Sequence, residues 1–193
     1  SVGPGLAQRA GMITIRELQR LASPGPKPQS LAWDGATLWM GSRETKIIHA
    51  INPATWTVGW RITAPGTPWG LAAVGAELRA ICGETDEDNR IIRRCVPGQG
   101  FDPTFGLPCP DDSGAQLGWD GRNLTVSQWY PKKLLTLDAD GKVTRVIQVP
   151  HGICGQVFAA DQDGRTVTVA CGGVPRTPGS GQERYDCDHY PAQ

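Results

Sequence analysis

Short stretches of alternating apolar and polar residues run along this chain and return in a fixed order. The first copy is Leu31-Ala-Trp-Asp-Gly-Ala-Thr-Leu-Trp-Met-Gly41, with apolar residues on both sides of an Asp-Gly pair. Residues 71–81 (LAAVGAELRAI) and 117–127 (LGWDGRNLTVS) repeat it, and residues 158–169 (FAADQDGRTVTV) do so more loosely. Alternation with a period of two marks a strand buried on one side. The first copy therefore predicts a strand at 30–33, a hairpin turn at Asp34-Gly35 and a second strand at 37–41. Asp-Gly pairs favour the type I′ turn, whose twist suits two antiparallel strands. A third strand follows at 46–51 and stops at Asn52-Pro53, since proline has no N–H to give to a ladder. Its counterparts lie at 90–95 and 133–138, and fourth strands are predicted at 57–63 and 143–149.

The turn glycines Gly35, Gly75, Gly121 and Gly164 are spaced by roughly 40 to 46 residues, a period typical of propeller blades. The expected fold is all-β: a β-propeller of four-stranded antiparallel blades, about four in this chain. The blade-like repeats run over residues 30–69, 70–115, 116–154 and 155–193 of a single domain, 12–193. Residues 14–25 align with a fourth strand. A helix over 15–21 has comparable apolar spacing, but the position in the repeat favours the strand. Residues 12–22 would then close the last blade and hide two sheet edges. The alternative is a part of a larger propeller, since residues 172–193 lose the alternation and are rich in Pro, Gly and Ser. Residues 1–11 precede Met12 and read as a vector-derived remnant or a flexible tail.

Composition narrows the classes of function. Nineteen basic and 19 acidic residues balance to a formal charge of zero, which argues against general nucleic-acid binding. The 25 glycines and 16 prolines suit strands joined by tight turns. No run approaches the roughly 20 apolar residues that span a bilayer, so a soluble protein away from the membrane is expected. The six cysteines include no CxxC pair, which removes zinc-ribbon and thioredoxin-like readings; buried free thiols are expected. The stretch after Met12 has no apolar core of a secretory leader, which points to the cytoplasm. A secreted chain with its leader removed is the alternative, and only then would the Asn123-Leu-Thr125 sequon matter.

The sequence Leu31-Ala-Trp-Asp-Gly-x-x-Leu-Trp39, followed by Ile47-Ile-x-x-Ile-Asn-Pro-x-Thr55, resembles the repeat of bacterial propellers of the glutamine cyclotransferase-like, streptogramin-lyase-like and NHL-type groups. The likeness extends over most of residues 12–169 and implies the propeller fold. It brings no catalytic residues with it: no block matches the carboxylate site of the cyclotransferases or the metal ligands of the sugar-lactone hydrolases. Fold likeness alone assigns no activity.

Candidate chemistry comes from the loops that such blades would gather on one face. Trp69, Trp129 and Tyr130, with Arg43, Glu44 and His151, form the expected ligand-binding set. Trp33 and Trp119 occupy equivalent strand positions and read as blade packing. His151 is the candidate catalytic base, since imidazole titrates near neutrality, although no second histidine shares its class of loop. Glu84, Asp86 and Asp88 supply oxygen ligands for a divalent cation such as calcium, without the EF-hand spacing. A solvated acidic loop that binds no cofactor is the simpler reading. The expected function is a non-catalytic propeller that binds a protein or small molecule on its loop face, as a monomer or as a homo-oligomer that completes the ring. The alternative is a lyase, cyclotransferase or lactone hydrolase with an axial site.

Overall fold

The computed structural model describes residues 20–85, 89–128 and 131–148 together with the strands at 156–160, 166–172 and 185–191. Three four-stranded antiparallel sheets follow one another along the chain, and a three-stranded sheet follows them. The first holds β1 (Pro28–Trp33), β2 (Leu38–Ser42), β3 (Ile47–Asn52) and β4 (Thr57–Thr63). The second holds β5 (Thr67–Val74), β6 (Glu77–Gly83), β7 (Arg90–Val96) and β8 (Gly100–Pro108). The third holds β9 (Leu117–Trp119), β10 (Leu124–Gln128), β11 (Lys133–Leu137) and β12 (Val143–Gln148). Strands β13 (Gln156–Ala160), β14 (Thr166–Gly172) and β15 (Tyr185–Pro191) form the last sheet. Within every sheet the strands lie in chain order, as in the blades of a β-propeller. The new blade begins at β5, so Thr67–Trp69 belong to the second blade rather than to the end of the first repeat. Of residues 12–22, expected to close the last blade, 12–19 lie outside the described residues.

Register explains how each blade acquires two different faces. Leu31 pairs with Met40, Met40 with His49, and His49 with Arg61, so these four share one face. Ala32, Trp39, Ala50 and Trp60 share the other. That second face packs on Leu71, Leu78, Ala80, Cys82 and Cys95 of the second blade. Trp39 and Trp60 meet edge to face there, with ring centroids 5.8 Å apart. Ala72, Ile81 and Ile92 on the far face of the second blade then pack against Leu117, Leu124, Val126, Leu135 and Leu137 of the third. Among the described residues the core is thus divided into two inter-blade layers.

The first strands of the blades, β1, β5, β9 and β13, lie side by side. Their approach is closest at Gly70, where a Cβ would come within 2.8 Å of the Gln116 Cα and 2.9 Å of the Leu117 N. Glycine is required here by space rather than by dihedral freedom. The hairpin turns differ from the expected type I′ form. Gly35 has a φ of +100° while Asp34 keeps an ordinary negative φ. Its carboxylate instead accepts from the Ala36 N–H at 2.8 Å, the Thr37 N–H at 2.7 Å and the Trp39 indole N–H at 2.7 Å. Asp120 likewise accepts from the N–H groups of Arg122 and Asn123.

Candidate functional site

Antiparallel order places alternate connections at opposite ends of the blades. The connections 43–46, 64–66 and 109–116 share one end with residues 84–85 and 89, together with the entry to β5 and β7. Trp69 stands at this end, half-buried on β5. The Arg43 guanidinium lies 4.8 Å from its ring centroid and the Arg90 guanidinium 4.1 Å, so two cations from adjacent blades stack on one indole. Each such contact contributes about 0.5 to 2 kcal/mol, depending on how dry it is. Arg90 also donates to the Gly114 carbonyl at 2.5 Å, and its own carbonyl accepts from the Cys109 N–H at 2.8 Å. This arginine therefore fastens the second blade to the connection that leads into the third.

Beneath the two arginines lies a polar seam between first strands. The Ser30 hydroxyl donates to the Pro68 carbonyl at 2.9 Å, and the Gln116 amide donates to the Gln29 carbonyl at 3.0 Å. Gln116 thus reaches from the third blade back to the first. The Gln128 amide donates to the carbonyls of Pro110 at 2.6 Å and Ser113 at 3.2 Å, while its fully buried Oε1 has no partner among the described residues. Buried polar groups carry a high cost when unpaired, so these bonds fix the positions of the strand ends.

The sequence-predicted site is brought together in part. Arg43 and Trp69 meet, with Trp69 on β5 rather than in the loop assigned to it from the sequence. Glu44 instead turns to Lys27, with 3.0 Å between carboxylate and ammonium, in an exposed pair of small energetic weight. Glu84, a candidate cation ligand, is held by both ends of Arg93 at 2.5 and 2.8 Å, and Arg93 donates further to the Phe105 carbonyl. A carboxylate engaged in a fork of this kind has little left to offer a cation. Trp129, Tyr130, His151, Asp86 and Asp88 lie outside the described residues. Among the described residues no group of three or more His, Cys, Asp or Glu side chains comes together as a metal site. Arg90 was missed, yet a signal existed: a basic residue opens or directly precedes the third strand in each blade, as Lys46, Arg90 and Lys133.

Other titratable groups are also informative. Cys82, Cys95 and Cys109 are buried, and among the described residues they are free thiols. Burial pushes the thiols of Cys82 and Cys109 up to about 12 and that of Cys95 up to about 11, which keeps them protonated and unreactive. His49 on β3 is buried, with neither ring nitrogen bonded among the described residues; burial first, and the Arg61 charge second, hold it below the ordinary histidine range. Trp33 departs from the packing expected of it: it is exposed, whereas Trp119 packs against the second inter-blade layer.

No family model matches the chain, and no curated protein does. Solved structures do. The chain is similar to the Myxococcus xanthus glutaminyl cyclase, with a TM-score of 0.62 and 14% identity over 86% of this chain and 74% of that one. It is similar to Kuenenia stuttgartiensis hydrazine synthase, with a TM-score of 0.55 and 15% identity over 93% of this chain and 53% of that one. The Myceliophteria thermophila Cps50 (Swd1) β-propeller domain gives a TM-score of 0.55 and 13% identity over 82% and 57% of the two chains. At such identities the likeness establishes the propeller fold alone. The chain spans about half the length of the hydrazine synthase chain it matches. Among the described residues no helix is long and apolar enough to cross a membrane.

Proposed function

We propose that this protein is a non-catalytic propeller that binds a ligand at the end of the blades where Arg43, Trp69 and Arg90 meet. The observation that supports this reading is the stacking of two guanidinium groups, one from each of two blades, on a single half-buried indole. Stacking leaves the edge of the Arg43 guanidinium available, and that edge carries the fork of donors that matches carboxylate and phosphate oxygens. The ligand is therefore a protein segment or small molecule that presents an anionic group. Glu44 is drawn to Lys27 and Glu84 to Arg93, so neither carboxylate is directed to the Arg43 charge in place of a ligand.

Titration with a hexaglutamate peptide, followed through tryptophan fluorescence, tests the assignment. The expected result is a saturable change that the double substitution Arg43→Ala and Arg90→Ala weakens at least about tenfold, a loss of some 1.4 kcal/mol. Trp69→Leu should remove most of the signal. Binding left intact by both variants would place the ligand elsewhere, and absence of binding up to millimolar peptide would count against an anion-binding face.

A further inference from the structure

The face of the first blade that carries Leu31, Met40, His49 and Arg61 is open at its inner edge and closed farther out. Leu31 is 59% exposed and Trp33 53%, whereas Leu71 and Leu117, the residues at the position of Leu31 in the next two blades, are 1% and 5% exposed. Two strands outward on the open face, His49 is only 4% exposed. Gly25, in the segment of residues 20–27 that precedes β1, stands against its imidazole. A Cβ there would lie 2.9 Å from Nε2 and 3.6 Å from Cδ2. The segment is fastened at its margins. The Trp56 indole donates to the Ala22 carbonyl at 2.7 Å, the Ser42 hydroxyl to the Pro26 carbonyl at 2.5 Å, and the Arg43 N–H to the Lys27 carbonyl at 2.9 Å. The Lys27 ammonium lies 3.0 Å from the Glu44 carboxylate in an exposed pair. Contacts this close to solvent open locally without unfolding the sheet beneath them.

The next two blades treat the same position differently. Leu71, Ala80 and Arg93 in the second blade, and Leu117, Val126 and Leu135 in the third, take the places of Leu31, Met40 and His49. Arg93 has the Glu84 carboxylate and the Phe105 carbonyl as acceptors, and Leu135 needs none. The neutral His49 imidazole offers one donor and one acceptor, and neither is bonded among the described residues. The covering segment differs as well. Ala22-Ser-Pro-Gly25 corresponds in sequence to Thr63-Ala-Pro-Gly66. Gly66 rests on the backbone of Gly83 and Glu84, whereas Gly25 rests on the imidazole. The first contact is set by main chain alone; the second depends on the charge of a side chain.

The surroundings of His49 suit the neutral ring and oppose the cation. Arg61 lies across the β3–β4 rung, and Met40 across the β2–β3 rung. Residues 20–27 bring Gly25 against the ring, and their ionisable side chains, Arg20 and Lys27, are both basic. Glu44 at the margin is drawn to Lys27. An imidazolium under Gly25 would therefore be a buried charge beside Arg61, without a carboxylate opposite it among the described residues, and such a charge is costly. Lifting the segment gives the ring water. We infer that residues 20–27 are a strap over the first blade, which proton uptake by His49 releases. The open form binds the proton as a solvated imidazole does, and the closed form binds it less well. Falling pH therefore shifts the balance toward the open form, and rising pH closes it. The inference is independent of the anion-binding reading.

Amide hydrogen exchange of the 193-residue protein, followed by NMR, tests it. The Arg43 N–H, bonded to the Lys27 carbonyl, reports on the strap. The Ala64 N–H, bonded to the Lys46 carbonyl at 2.8 Å at the same end of the blade, is the control. After correction for intrinsic exchange, protection at Arg43 should fall at least about fivefold between about pH 7.5 and 5 while that at Ala64 holds. The fall should follow the titration of the His49 ring protons. It should be absent from His49→Gln and His49→Leu, which keep position 49 neutral. Constant protection at Arg43 over this range would overturn the inference, as would a His49 that takes up its proton while Arg43 stays protected. A parallel loss at Ala64 would overturn it in favour of opening of the whole sheet. A fall that persists in either neutral variant would overturn it in favour of another titrating group. Should neither variant fold, the comparison of Arg43 exchange with the His49 titration in the parent protein decides alone.

Discussion

The two faces of the first blade are made from neighbouring residues of the same strands and meet opposite fates. Ala32, Trp39, Ala50 and Trp60 enter a closed layer against the second blade, while Leu31 and Trp33, one residue away on β1, remain in solvent. Side chains alternate across a strand, so a single residue step separates the two environments. Burial here belongs to the pairing of blades and not to the hydrophobicity of a position. That conclusion can be broken or sharpened in several ways.

The largest effect is expected where covered strands approach most closely. Gly70→Val should cost several kcal/mol, because any side chain would displace the backbone of Gln116 and Leu117. Gly59, on the exposed outer strand β4 with no atom within 4 Å of where a Cβ would stand, is the control. Gly59→Val should change stability by no more than about 0.5 kcal/mol. Urea denaturation of both variants measures the contrast. Similar costs at the two positions would mean that β5 and β9 are not packed against one another.

A smaller effect is expected at the hairpin turns. Asp34→Ala removes the acceptor for two backbone N–H groups and the Trp39 indole, and should cost about 1 to 2 kcal/mol. Burial raises the Asp34 carboxyl, but the N–H donors of Thr37, Trp39 and Ala36 outweigh it and hold it below the ordinary value. A depressed carboxyl stabilises the fold above its unfolded pKa, and that contribution is lost as pH falls through the folded pKa. Asp34→Ala should therefore flatten the acid limb of a stability–pH profile, below about pH 4. A variant whose acid limb is as steep as the parent's would contradict the assignment.

The smallest effect concerns His49, which stands on the rung of the open face where the third blade has Leu135. Its depressed folded pKa means that the unfolded state takes up protons first as pH falls through about 6.5, so stability declines below that pH and is level above it. His49→Leu should remove the slope between about pH 6.5 and 5, read by thermal unfolding at a series of pH values. An unchanged slope would show that His49 is not the group responsible.

How far the fold could be read from the residues depended on the range of the forces involved. Hairpins and strand order were visible because alternation and Asp-Gly pairs act within a few residues. The turn type was not, because the Asp34 carboxylate forms a side-chain cap that removes the need for a left-handed aspartate. Trp33 and Trp119 are equivalent in local pattern, and only the presence of a covering blade separates them. At the candidate site the sequence put Trp69 in a loop although it stands on β5, and the Glu84–Arg93 fork was not legible, since β7 brings back an arginine that the acidic run alone does not reveal. Arg90 was legible only by comparing the third strands of successive blades.

The central claim is that equivalent leucines are covered in the second and third blades and open in the first. Its most direct test is the unfolding free energy of Leu31→Ala beside that of Leu71→Ala in the same chain. Leu71→Ala should cost about 2 to 5 kcal/mol, as expected for a buried leucine that leaves a cavity. Leu31→Ala should cost no more than about 0.5 kcal/mol. Equal costs at the two positions would contradict the account.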